Sequence, residues 1–306
     1  MKHLESALKT KNDWWAYLVI IVVSFFIAQV VGGIPLGIVL ATADGGMQAL
    51  SEGNVIDFTS LGINSSFGLA LIVIPFIVSF FTLKALVKPL HQRSFTQVIN
   101  GRGKVRYRRI FYGFLIWGII TVFSILVDYY MNIGNYQVRF DPKALIVLTL
   151  VAFLMLPFQT FFEEIFVRGY LAQGVGALTK NRIAVLIIPS MAFALLHAVN
   201  PEVVKHGFWL MMSQYFAIGL IFALTSVLDD GIELAMGAHA ANNIFVSILV
   251  TSKSSALQTD SLLRDMNDVV SWDDLYSVLL LGLVFIGLFG FKYKWKWKTL
   301  TKKIEL

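Results

Sequence analysis

Apolar residues in this chain come in long blocks rather than in stripes. Runs of about twenty residues with little or no charge alternate with polar segments, and they follow neither a 3.6- nor a 2.0-residue period. A run of that kind has no polar face to turn to water. It fits a helix crossing a bilayer, which takes roughly 20 apolar residues. The blocks predict spans at 14–42, 67–87, 110–130, 144–171, 183–200, 207–228, 232–251 and 275–291. The first opens on Trp14-Trp15, an interfacial anchor, and should bend near Gly32-Gly33 and Pro35. Ala41-Thr42-Ala43 resembles a signal-peptidase site, but the run before it far exceeds an h-region of about 7–15 residues, so the span is read as retained. Residues 43–66 form a polar loop without Lys or Arg, Asn200-Pro201 marks a turn, and Asp229-Asp230-Gly231 leaves a very tight connection. Pro189 is a candidate kink in the fifth span. The expectation is an all-α polytopic membrane protein of about eight transmembrane helices, with residues 1–306 forming a single membrane domain.

Composition agrees. Of 306 residues 57% are hydrophobic and 14% charged, where a soluble domain carries about 25% charge. The absence of cysteine excludes disulfides, thiolate metal sites and a cysteine nucleophile. A net charge of +6 could suggest nucleic acid, but its distribution points to a membrane face instead. With eight spans, one side receives 19 of the 25 Lys and Arg and the other five; Arg168 lies within a span. Eight of the 19 fall in the loop between spans two and three, from Lys84 to Arg109, where they are read chiefly as topological signals. The positive-inside rule then places both termini in the cytoplasm. The tail Lys292-Tyr293-Lys294-Trp295-Lys296-Trp297-Lys298 suits an anionic inner leaflet, with its aromatics at the headgroups.

The chemistry sits where charge breaks the fourth apolar run, at Phe161-Phe162-Glu163-Glu164-Ile165-Phe166-Val167-Arg168. Ionisable groups are expensive in lipid unless paired or wetted, which makes them functional candidates. Glu164 and Arg168 share a helix face at i,i+4 and can pair, leaving Glu163 free. Two further pairs lie in spans five and seven: Phe193 with His197, and His239 with Asn243, each four residues apart. Glu163 and His197 could hold and deprotonate a water molecule. His239 and Asn243 could donate to the oxyanion formed when that water attacks an amide carbonyl. Glu164 with Arg168 would hold the acidic segment in place. The same histidines and glutamate could instead ligate zinc, although no His-Glu-x-x-His helix is present. A transporter using them as a proton or cation relay is a third reading, weakened by the lack of matching polar positions in the first half. A non-catalytic scaffold or immunity protein is a fourth.

These motifs together resemble those of the CPBP family, the CAAX proteases and bacteriocin-processing or Abi proteins. Glu-Glu-x-x-x-Arg is matched by Glu163, Glu164 and Arg168, Phe-x-x-x-His by Phe193 and His197, and His-x-x-x-Asn by His239 and Asn243. The likeness covers residues 144–250, the expected catalytic core. It implies an eight-helix intramembrane glutamic endopeptidase without cofactor or metal, with Glu163 and His197 activating water and His239 and Asn243 forming the oxyanion site. The implied partner is a membrane-associated peptide or protein in a bacterial cytoplasmic membrane, with roles in bacteriocin or peptide maturation or self-immunity. One difficulty remains at this level. Rise-per-residue counting puts His197 nearer the outer face than Glu163 and His239, which a kink at Pro189 or a later start to span five would reconcile.

Overall fold

The computed structural model describes residues 2–51 and 56–306. All eight apolar blocks are helical. Six helices are long and apolar enough to cross a membrane: α1 (Trp14–Thr42), α2 (Ser65–His91), α3 (Tyr107–Met131), α4 (Pro142–Thr179), α6 (Phe208–Asp229) and α8 (Trp272–Tyr293). The other two, α5 (Arg182–Leu196) and α7 (Glu233–Leu249), have 15 and 17 residues. The protein is thus an all-α polytopic membrane protein, its outward faces studded with exposed residues such as Val22, Phe26, Phe123, Leu154 and Leu283. The expected bend in α1 is a π-helical turn at Ala28–Gly32, after which the α-helix resumes at Ile34. The polar loop after α1 carries a short helix at Gly46–Ser51; its residues 52–55 lie outside the described ones.

Helix boundaries depart most from expectation around α4 and α5. The fourth helix does not stop near residue 171 but runs to Thr179. It turns at Lys180, which adopts a left-handed conformation (φ 56°), and at Asn181, whose side chain caps α5 by accepting from the Ile183 and Ala184 N–H groups. The fifth helix ends at Leu196 rather than near residue 200 and is continuous through Pro189.

Close approach of backbones places α7 between α3 and α4. A side chain at Gly113 of α3 would collide with the Leu234 backbone, and one at Gly237 of α7 with the Ile110 carbonyl. Small residues at such crossings let membrane helices pack without a hydrophobic driving force. Around α4 a core forms from Ile20, Leu83, Val87, Phe162, Phe166 and Tyr170.

The basic loop, read from sequence chiefly as a topological signal, makes specific ion pairs. Arg106 bonds Glu233 at 2.5 Å and Asp229 at 3.0 Å, Arg109 reaches Asp229 at 2.8 Å and Arg102 reaches Asp230 at 3.2 Å. The tight turn between α6 and α7 is thus an ion-pair cluster. Arg93 is fully buried and donates to Gln173, Asn12 and Thr10. The N-terminal segment is drawn into the same end: the Lys2 and His3 N–H groups donate to Asp230, and His3 Nε2 meets the Arg168 carbonyl oxygen at 3.2 Å. The aromatic tail also folds back on the protein. Trp295 donates to Asp229, and Arg109 stacks over the Tyr293 ring at 3.1 Å.

At the far end the segment after α7 forms a cap that the sequence did not suggest. Strand β1 (Tyr136–Val138) pairs antiparallel with β3 (Leu263–Asp265), which pairs in parallel with β2 (Val250–Thr251). Asp260 binds Arg139 and the Ser65 hydroxyl, and Asp268 binds Lys205 and Ser254. Ser255, Ala256 and Leu257 of this cap form part of the wall of the cavity described next.

Candidate active site

The first α-helical stretch of α4 ends on Glu164, π-helical turns run from Ile165 to Leu171, and the α-helix resumes at Ala172. Such widened turns recur at functional sites because they re-aim side chains. Both glutamates and Arg168 are buried. Glu164 Oε1 accepts from Arg168 Nη1 at 2.6 Å, so the pairing expected from spacing is present. It also meets His239 Nδ1 at 2.8 Å. A carboxylate paired with arginine only accepts, so the proton of that second bond sits on His239 Nδ1. Its Nε2 then faces Glu163, 3.5 Å from Oε2.

Phe193 fills the space between these groups. The Arg168 guanidinium lies 4.2 Å above its ring, and its ring centre is 4.5 Å from that of His197 and 6.0 Å from that of His239. It is a spacer with a π face turned to a buried cation. Arg168 Nη2 also donates to the Gly219 carbonyl. Arginine, glutamate and histidine therefore form a locked unit behind the cavity.

His197 occupies the C-terminal cap of α5. Its Nδ1 lies 2.8 Å from the Phe193 carbonyl oxygen, an acceptor only, so Nδ1 carries hydrogen and Nε2 is left to accept. The ring is stacked on Tyr215 at 4.4 Å and 28°. The depth difficulty dissolves with the true helix limits. Measured from the shared turn at roughly 1.5 Å per residue, Glu163 stands about 24 Å up α4 from Thr179, and His197 about 22 Å up α5 from Arg182. The two are level because α4 extends well past the end the apolar run suggested.

Asn243 lies one turn beyond His239 on α7. Its Oδ1 accepts from Asn242 Nδ2 at 3.2 Å, and Asn242 Oδ1 accepts from the Trp117 indole at the same distance. This chain orients the Asn243 amide with its NH2 group as a donor. Glu163, His197, His239 and Asn243 all line one cavity of about 580 Å³. Its wall also includes Gln159, Asn200, Glu202, Tyr215 and Asn242, which sequence reasoning did not single out. Gln159 was within reach of that reasoning, four residues before Glu163 on one helix face; Tyr215 gave no local signal. Among the described residues no three His, Asp or Glu side chains converge as metal ligands, and His239 Nδ1 is committed to Glu164.

Comparison with known proteins bears on the same stretch. Residues 143–245 match the family described as type II CAAX prenyl endopeptidase Rce1-like. A curated relative from Bacillus subtilis (strain 168) is 31% identical over 204 residues, covering 66% of this chain and 68% of the relative. The chain belongs to the Rce1-like family. That relative is named only as the uncharacterized protein YyaK. No solved structure matches. Membership makes this a membrane protein of a protease family, acting on a peptide or protein.

Proposed function

We propose that the protein is an intramembrane endopeptidase of the glutamic type. The observation that carries this reading is Glu163: a buried carboxylate with no arginine bound to it among the described residues, on the wall of a cavity it shares with His197, His239 and Asn243. A water held between Glu163 and the free Nε2 of His197 would lose its proton to Glu163 as its oxygen attacks the scissile carbonyl carbon. The carbonyl oxygen becomes an oxyanion and accepts from Asn243 Nδ2. It also accepts from His239 Nε2 when that ring carries both protons, a charge that Glu164 offsets. Collapse of the tetrahedral intermediate breaks the C–N bond. Glu163 returns the proton to the leaving amine, and no covalent acyl-enzyme forms. Glu164, Arg168 and Phe193 act by holding His239 and α4 in register.

The substrate is proposed to be a small membrane-associated peptide or a transmembrane segment, in keeping with the resemblance to bacteriocin- and peptide-processing proteins. The charge distribution supports a bacterial cytoplasmic membrane with both termini inside. The test is cleavage of a library of membrane-anchored peptides by the purified protein, by Glu163→Ala and by His239→Ala. Cleavage by the wild type alone supports the reading. Cleavage abolished by a chelator and restored by zinc would replace it with a metalloprotease. Proton-coupled solute uptake in vesicles, lost in the same variants without any proteolysis, would replace it with a transporter.

A further inference from the structure

The cavity wall holds a second carboxylate that the reaction above does not use. Glu202 sits on the short helix Pro201–His206, beside the turn that follows His197. A hydrogen-bonded chain fixes it. Asn200 Nδ2 donates to the Tyr215 hydroxyl at 3.1 Å, and that hydroxyl donates to Glu202 Oε1 at 2.7 Å. The other oxygen, Oε2, is shielded from solvent and has no partner among the described residues. The same shielding keeps Oε2 out of reach of a ligand atom as the side chain stands, so an incoming donor recovers the cost of the missing bond once the carboxylate turns toward the cavity. The lining also has a one-sided charge balance: it includes Glu163 and Glu202 but neither Lys nor Arg. Arg168, next in the chain to the lining residue Val167, is taken up by Glu164. A cleft with low-dielectric walls and charge of one sign favours ligands of the other.

We propose that Glu202 is a specificity determinant that reads a cationic group on the substrate, a Lys or Arg side chain or a free amino terminus. This rests on the endopeptidase reading of the same cavity. Tyr215 gives the spacing, since one face stacks on His197 and its hydroxyl holds Glu202. The path from His197 to the carboxylate is therefore about 10 Å at most, which an extended peptide covers in about three residues. The cation lies within about three positions of the scissile bond. A substrate with a carboxylate in that place is disfavoured.

The test has a cleavage arm and a binding arm. Paired reporter peptides in detergent differ only in Lys, norleucine or Glu at each of the three positions on either side of the scissile bond, each with a free or an acetylated amino terminus. The ratio of kcat/KM for Lys over norleucine should exceed ten at one position. It should fall at least tenfold in Glu202→Gln, which preserves the Tyr215 bond. A ratio is independent of the fraction of folded enzyme. If only the free amino terminus shows the preference, the cation read is the α-amine. The binding arm uses fluorescent versions of the peptides with Glu163→Ala as background, with and without Glu202→Gln. Charge-selective binding lost in the double variant supports the subsite even if the wild type cleaves nothing, an outcome that sinks only the protease. Equal affinity and equal cleavage of Lys and norleucine peptides, or a preference unchanged by Glu202→Gln, overturns the subsite and leaves the protease standing.

Discussion

Buried acids cluster in two places in this molecule, and one of them, Glu163, ends in a state the others do not share. At the basic end, Glu233, Asp229 and Asp230 are each met by an arginine, and further donors come from Asn100, Trp295 and the Lys2 and His3 backbone. In the bundle, Glu164 is pinned by Arg168 and His239, both on Oε1, while Oε2 is shielded and has no hydrogen-bond partner among the described residues; its neighbour Glu163 has, among the described residues, the one ion contact to His239 Nε2 at 3.5 Å and opens on a cavity. Burial alone does not explain the difference, because Glu163 is buried like Glu164 and Glu233. What separates Glu163 from the others is that an arginine pins each of them and that space adjoins Glu163. An acid pinned by a cation holds helices together; an acid without one, beside a cavity, can move a proton.

The comparison breaks most visibly at Glu163. Glu163→Gln should lower peptide cleavage by about 10²–10⁴-fold, the usual worth of a positioned general base. Its thermal midpoint should stay at or above that of the wild type, since the carboxylate removed has no arginine partner among the described residues. An equal loss of cleavage in Glu233→Gln, with its fold intact, would erase the distinction. Asn243→Ala comes next. Losing one donor to a developing oxyanion costs about 10²–10³-fold, and the loss should appear in kcat with KM little changed. Comparable increases in KM would instead make Asn243 a ground-state binding residue.

Glu233→Gln sharpens the other side. Removing one partner of a buried pair costs about 3–5 kcal/mol, because the remaining charge is left uncompensated. Here Asp229 still faces Arg106 at 3.0 Å, so a loss of about 3 kcal/mol in unfolding free energy is expected. Chemical denaturation in detergent measures it, and residual cleavage per folded molecule should equal that of the wild type. A catalytic defect without destabilisation would move Glu233 into the functional group.

The sequence made some of this contrast visible and hid the rest. The apolar blocks showed all eight helices, because lipid leaves no alternative for twenty uncharged residues in a row. The acid pair stood out for the same reason, and four-residue spacing announced the Glu164–Arg168 bond. The basic-end cluster was not legible, since Arg106 and Glu233 are 127 residues apart and a basic loop already has a topological explanation. The true end of α4 was hidden because Ala172–Thr179, with Gln173, Gly174 and Gly176, is no longer apolar enough to read as a span. That hidden stretch is what brings His197 level with Glu163. Tyr215 and Glu202 were missed because their relation to His197 exists only once α5 and α6 are packed.

An acid at the far end, Asp268, tests whether pairing with a cation is the governing variable. Asp268 is buried, which pushes its pKa up, yet hydrogen bonds from Lys205, Ser254 and Ser252 outweigh this and hold it at about 2. His206 also faces it, at 3.6 Å. By the rule above Asp268 is structural, and it should stabilise the cap without touching catalysis. A carboxyl group depressed in the folded state contributes stability that is complete above its unfolded pKa of roughly 4 and is lost as pH falls through the folded value of about 2. The full effect is about 2 kcal/mol at most, reduced because Lys205 is partly exposed to water. Asp268→Asn should therefore lower the thermal midpoint at pH 7 by a few degrees. That difference should shrink between pH 4 and pH 2, while cleavage of a short peptide at pH 7 stays within about twofold of wild type. A midpoint difference that does not change over that pH range would mean the aspartate acts through shape alone, and pairing with a cation would lose its standing as the property that divides the structural acids from Glu163.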